Sequence, residues 1–170
     1  MKLTCKRETF FQLFSLAASV ASKRDVKVVL QNVKMTADTN SVVLTATDMF
    51  QSVRLETTEA TVEEPGEVIL PTGRFLRILK ESNDEMLTIE SADAKLKVFG
   101  ENKWYDLPTL STDDFPDIPA FDADAWHEIS GKTLREMIRR TRFAIDIENT
   151  KYTLGGVVRV HRGACRCGGD

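Results

Sequence analysis

Residues 7–22 read RETFFQLFSLAASVAS. Phe10, Leu13, Phe14, Ala17 and Ala18 recur at intervals of three and four, the spacing of one buried helix face, so the stretch predicts a helix over Arg7–Ser22. The same face returns twice. At an offset of 65 residues Phe10 meets Phe75, Phe11 meets Leu76, Leu13 meets Ile78 and Phe14 meets Leu79. At an offset of 124, without a gap, Thr9 meets Thr133, Phe10 meets Leu134, Leu13 meets Met137 and Phe14 meets Ile138. The second match extends into the following strand, where Leu30 meets Leu154 and Val33 meets Val157. Agreement through a helix and the strand behind it is the mark of a duplicated unit.

Working outward from the first helix, Val28–Ala37 reads as a strand with Val29, Val33 and Met35 on one face. Asp38-Thr39-Asn40-Ser41 is turn chemistry, and Val42–Thr47 is the return strand. Gln51–Glu56 alternates, Val53 and Leu55 inward, Ser52, Arg54 and Glu56 outward. Glu63-Glu64-Pro65-Gly66 reads as a turn and Val68–Leu70 as a short strand. Pro71-Thr72 opens the second helix, with Thr72 as its candidate cap. That helix buries Phe75, Leu76 and Leu79, exposes Arg74, Arg77 and Lys80, and ends at Ser82-Asn83-Asp84. Met86–Glu90, Lys95–Phe99 and Trp104–Leu110 alternate as strands. Residues 111–124, rich in Pro and Asp, read as a linker. A strand at Trp126–Ile129, a helix from Gly131 to Ala144 and a strand from Tyr152 to Val160 follow. The pattern is α+β, with antiparallel strands and few helices. It divides into a complete domain at 1–120, the start of a second at 121–160 and an atypical tail at 161–170.

The chain's 170 residues suit one domain and part of another. Hydrophobic residues make up 42%, enough for a packed core, and mixed charges 29%, which argues against disorder. The formal net charge of −3 excludes a uniformly basic DNA-coating protein but allows a basic surface balanced by an acidic one. No apolar run approaches a membrane span, and charge interrupts MKLTCKRETF before a signal sequence forms, so the expected location is the cytoplasm. Three cysteines without a signal sequence do not make a disulfide framework.

No phosphate-cradling loop, dinucleotide fingerprint or metalloprotease helix is present, and no cofactor or metal is expected. His127 sits on a strand without a second histidine in range. The acidic residues Asp113, Asp114, Asp117, Asp122 and Asp124 lack the spacing and glycine of a calcium loop. His161, Cys165 and Cys167 lack a fourth zinc ligand. An enzyme would need a catalytic constellation that the chain does not show.

The distinctive signal is charge on helices. Lys132, Arg135, Arg139 and Arg142 fall on one face of the third helix, and Leu134, Met137, Ile138 and Thr141 on the opposite one. Arg140 adds a fifth cation, and Glu136 is the only acid between Lys132 and Arg142. Arg74, Arg77 and Lys80 repeat the theme on the second helix, and Arg7, Lys23 and Arg24 flank the first. Acids concentrate on strands and loops. A basic helical layer backed by an acidic strand layer suits a polyanion, held by sequence-blind phosphate contacts.

Several stretches in order, MKLTCKRETF, SKRDVKVVLQNV, LTATDMFQSVR, EEPGEVILPTGRFLRIL, LPTLSTDDFPDIP and FAIDIENTKYTLGGV, resemble the bacterial DNA polymerase III beta subunit, the replicative sliding clamp. The resemblance covers residues 1–158. It implies a DNA-clamp fold of duplicated βαβββ units, helices on the inner face toward duplex DNA and antiparallel sheets outside. It also implies a processivity factor with no catalytic site of its own, to which polymerase or exonuclease activity belongs only through the holoenzyme. Its partners would be duplex DNA, DNA polymerase III subunits and the clamp loader, and full-length relatives close into homodimeric rings.

By resemblance Arg24 takes a DNA-contacting arginine's place and Tyr152 a contact tyrosine's. Gly73 stands where a basic contact residue occurs, with Arg74 beside it, and Glu148 stands where some members place a polar contact. The expected DNA-binding set is Arg24, Arg74, Arg77, Lys132, Arg135, Arg139, Arg142 and Tyr152. After Val158 the sequence RVHRGACRCGGD departs from the family pattern, which suggests a frameshift or premature end and a polypeptide unable to close a ring by itself. The alternative is a freestanding, sequence-independent DNA-binding or adaptor protein that uses the basic helix faces without a ring.

Overall fold

A computed structural model of the chain describes residues 1–21, 26–92, 95–118 and 129–145. The elements are β1 (Lys2–Lys6), α1 (Arg7–Val20), a 3-10 turn (Val28–Gln31), β2 (Val33–Ala37), β3 (Val42–Thr47), β4 (Ser52–Thr57) and β5 (Ala60–Glu64). They continue with β6 (Gly66–Leu70), α2 (Thr72–Glu81), β7 (Met86–Ala92), β8 (Lys95–Phe99), β9 (Trp104–Pro108) and a 3-10 turn (Thr112–Asp114). After these come α3 (Gly131–Thr141) and a last 3-10 turn (Arg142–Ala144). The chain divides into two compact units, Met1–Pro119 and Ala120–Asp170.

The first unit is an internal duplication in which each half completes the other. The strand order is β5-β1-β7-β8-β9 in one sheet and β4-β3-β2-β6 in the second. Every pairing is antiparallel. The first half, β1-α1-β2-β3-β4, corresponds to β6-α2-β7-β8-β9. β1 does not join the meander of its own half. It pairs with β7, Leu3 opposite Ile89 and Cys5 opposite Leu87. β6 reciprocates by pairing with β2, Met35 opposite Val68. The helix starts keep both sequence offsets, Arg7 to Thr72 and Arg7 to Gly131. Phe10 and Phe75 are both buried, as are Phe14 and Leu79, while Phe11 and Leu76 are both half-buried.

One core takes residues from both sheets and both helices. Leu3, Leu87, Ile89, Leu96 and Val98 come from the first sheet, Val33, Met35, Leu44 and Leu70 from the second, and Phe10, Phe14, Phe75 and Leu79 from the helices. The period-two burial of β2 and β8 and the three-four burial of the helices produce this convergence. The Phe75 ring meets Phe14 edge-on at 4.8 Å and 65° and Phe10 at 6.0 Å and 78°, arrangements the ring quadrupole favours.

Several local expectations are corrected. Val28–Gln31 is a 3-10 turn, not the start of a strand, because Val29 and Leu30 both turn inward to a second small core with Ile69 and Phe115. That core also takes in the chain at 111–118: Phe115 is buried, so this stretch is packed onto β6 rather than being free linker. Thr109 Oγ1 donates to the Ile69 carbonyl at 2.6 Å beside it. Ala60–Glu64 is a strand of its own, and the chain changes sheet within Glu64-Pro65-Gly66. Gly66 has φ +152°, which L side chains rarely adopt, and a Cβ there would stand 3.0 Å from Met1. Thr72 is the first helical residue rather than the cap, and Asn32 Oδ1 instead accepts from its backbone N–H at 3.3 Å.

The end of α2 is tied to the start of α1. Arg7 Nη1 donates to the Leu79 carbonyl at 3.0 Å and Nε to the Asp84 carbonyl at 3.1 Å, while its backbone N–H donates to Glu85 at 2.9 Å. Leu79 O is among the last carbonyls of α2, which lack helical partners and favour a cation. The Asp84 carboxylate accepts from Ser82 Oγ at 2.7 Å and from the Glu101 N–H at 3.2 Å. A side chain at Gly100 would overlap this carboxylate.

Two outcomes are expected. Phe75→Ala removes the ring shared by α1 and α2 and should cost about 3–5 kcal/mol in urea-denaturation stability. The hydroxyl of Ser82, then the Glu101 amide, holds the Asp84 pKa below its ordinary 3.8. A depressed carboxylate contributes stability that is complete above the ordinary value and is lost as pH falls through the folded one. The urea midpoint should therefore drop on acidification below about pH 4, and D84N should flatten that part of the profile.

Candidate nucleic-acid interface

α2 is anchored by Phe75, Ile78 and Leu79, all buried. The three-residue spacing of Arg74, Arg77 and Lys80 then carries these cations to the solvent side, where all three are exposed. Among the described residues none of the three forms an ion pair. Gly73 is exposed, with open space where a Cβ would project.

α1 does not repeat this surface. Its exposed residues are Glu8, Gln12, Leu16 and Ser19, and none is a cation. Arg7, counted from sequence as a flanking positive charge, is turned to the end of α2 and to Glu8 at 3.1 Å. Arg24 lies outside the described residues. Basic charge in the described part of the first unit's helical layer is therefore borne by α2. The sheets are not uniformly acidic either. Lys2 Nζ lies 2.7 Å from Glu63 and Lys34 Nζ 2.9 Å from Glu67, each a cross-strand pair.

In the second unit α3 exposes Lys132, Arg135 and Arg139, with Arg142 exposed in the turn that follows. Glu136 stands among them. Arg139 grips it with two donors, Nε to Oε2 and Nη2 to Oε1, both at 3.1 Å. Arg140 Nε reaches Oε1 at 2.7 Å. Leu134, Met137 and Ile138 occupy the other side of the helix. Tyr152 and Glu148 lie outside the described residues. Sequence reasoning grouped the cations by face but missed the inward turn of Arg7 and the clasp on Glu136. The (i, i+3) and (i, i+4) spacing of Glu136 to Arg139 and Arg140 was the available signal for the second.

Chemically, these surfaces can attract phosphates and position a polyanion. Among the described residues no group of His, Cys, Asp and Glu could hold a metal ion. Cys5, buried in β1, has its thiol pKa pushed up to about 12 by desolvation, which leaves it without thiolate reactivity. Among the described residues no helix is long and apolar enough to cross a membrane.

The beta sliding clamp of Pseudomonas aeruginosa is 29% identical over 159 residues, covering 93% of this chain and 43% of that protein. The clamp of Synechococcus elongatus is 30% identical over 159 residues, covering 92% and 42%. The crystal structure of the P. aeruginosa DNA polymerase III subunit beta matches with TM-score 0.83 and 27% identity over 92% of this chain and 43% of its own. A Helicobacter pylori beta clamp bound to a DNA ligase peptide shares the fold, with TM-score 0.79 and 17% identity over 89% and 42%. The chain thus spans less than half the length of these relatives. The family model described as DNA polymerase III beta subunit, N-terminal domain, matches residues 1–119. With that match over the duplicated two-sheet unit, the chain belongs to the DNA polymerase III beta subunit family, the bacterial sliding clamps.

Proposed function

We propose that this chain contributes DNA-facing wall to a sliding clamp that tethers the replicative polymerase to duplex DNA. The observation that carries the reading is α2. Its apolar side is locked into a core shared by two sheets, while Arg74, Arg77 and Lys80 stand unpaired among the described residues on the other side. Such a face attracts phosphate, and phosphate contacts carry no sequence information. Weak attraction of this kind allows sliding, since each phosphate contact can be exchanged for the next.

Arg74, Arg77, Lys132, Arg135, Arg139 and Arg142 are the proposed phosphate contacts, joined by Arg24 and Tyr152 on the family resemblance. The role is processivity rather than chemistry. The proposed partners are duplex DNA, DNA polymerase III subunits and the clamp loader, with peptides like the ligase peptide on the H. pylori clamp as a further class. The proposed setting is the cytoplasm, where such a clamp would meet cellular DNA. A freestanding DNA-binding protein using the same helices is the competing reading, and linear duplex separates the two. A wall segment should bind linear duplex weakly, with a dissociation constant on the order of 10 μM or above at physiological salt. Tight, salt-dependent binding to linear duplex would favour the freestanding protein.

Two charge changes test the face. The triple variant R74A/R77A/K80A should bind duplex more weakly and flatten the slope of log K against log salt by about 2–3 units, near 0.9 for each lost phosphate contact. G73R projects into open space and should steepen that slope by about 1 unit. Fluorescence anisotropy on a labelled duplex across a salt series reads both.

A further inference from the structure

We propose that Glu136 is an internal competitor for the phosphates that α3 attracts, setting its DNA affinity below what its cations alone would give. The inference rests on the clamp reading above and assigns a tuning role to a residue that opposes binding.

At 100° per residue Glu136 falls between Arg139 and Arg140 on the polar side of α3, away from Leu134, Met137, Ile138 and Thr141. Its carboxylate is held by three donors from these two arginines, at 3.1, 3.1 and 2.7 Å. The fork from Arg139 uses the same planar geometry with which guanidinium grips phosphate. A phosphate arriving at this face must therefore displace or share a carboxylate that already occupies the Arg139 fork and the Arg140 Nε. Lys132, Arg135 and Arg142 make no ion pair among the described residues. Both arginines are three-quarters exposed, so the pairs are within reach of DNA and exchangeable. Water screens them, and they contribute little to folding. On α2 the corresponding cations Arg74, Arg77 and Lys80 carry no such clasp among the described residues. The two basic helices thus differ in how much of their charge is available, and Glu136 makes the difference.

Glu136 acts through Arg139 and Arg140, so it is a positioning residue, and the readout is the salt slope. In anisotropy titrations of the 170-residue chain against a labelled 20-base-pair duplex, about 50–200 mM salt brackets the screening range. E136Q should bind about three- to tenfold more tightly near 100 mM salt and steepen the slope by about 1–2 units. E136A should show the same gain, and E136D, which keeps the charge, should stay near wild type. In an R139A/R140A background E136Q should have no effect. Loss of helix α3 would lower affinity, and circular dichroism of each variant detects it. Wild-type binding with no gain in E136Q and E136A overturns the inference, and so does a gain that persists without the two arginines. Absence of duplex binding by wild type and E136Q alike at low salt overturns the clamp reading itself.

Discussion

Everything in the first unit depends on the exchange of two strands. β1 belongs by sequence to the half that contains β2, β3 and β4, yet its hydrogen bonds go to β7, and β6 returns the exchange by pairing with β2. An isolated half would leave a three-stranded meander with a bare edge and a helix with no second layer. Crossing the leading strands fills both edges and brings α1 beside α2, so that Phe10, Phe14 and Phe75 interlock. The two halves are thereby one cooperative unit, and the long-range pairing of residue 3 with residue 89 forms as part of it.

This arrangement obliges the helices to serve two environments. Each has one face in the shared core and one in water. On α2 the outward face is free to carry three cations because the inward face is secured by Phe75, Ile78 and Leu79. α1 uses its charge differently. Arg7 serves the orphan carbonyls at the end of α2, a structural task that takes it away from the outer face. α1 and α2, alike in their apolar phase, therefore present different outer surfaces, and α3 presents a third, in which two of the arginines are held by Glu136.

Much of the fold was legible in the chain. The recurrence of the Phe10–Phe14 face at 65 and 124 residues located the starts of α1, α2 and α3, because an apolar stripe on a helix repeats at the helical period. The exposure of Arg74, Arg77, Lys132, Arg135, Arg139 and Arg142 followed from the same periodicity. Less legible were places where two elements share one stretch of surface. Val29 and Leu30 read as strand residues, but Ile69 and Phe115 supply a second core that both can enter only from a 3-10 turn. Residues 111–118 read as linker because Pro and Asp dominate them, whereas Phe115, with Ile118 beside it, anchors them. Thr72 read as a cap because it precedes the helix face, whereas it is itself the first helical residue and its own backbone N–H is met by Asn32 from another element.

By itself the sequence determined the period of the buried faces of α1 and α2 and the side of α2 and α3 on which their cations would lie. These are local properties, set by residue spacing along one element. Tertiary structure alone decided which strand completes which sheet, since nothing local to β1 or β6 says which meander it joins. It alone decided that Arg7 turns to the end of α2 rather than facing outward, because the Leu79 carbonyl in α2 and the Asp84 carbonyl beyond it lie more than 60 residues away in sequence. A hydrogen bond is specified by position in space, and two charged residues with the same local pattern diverge when only one has an unpaired acceptor beside it.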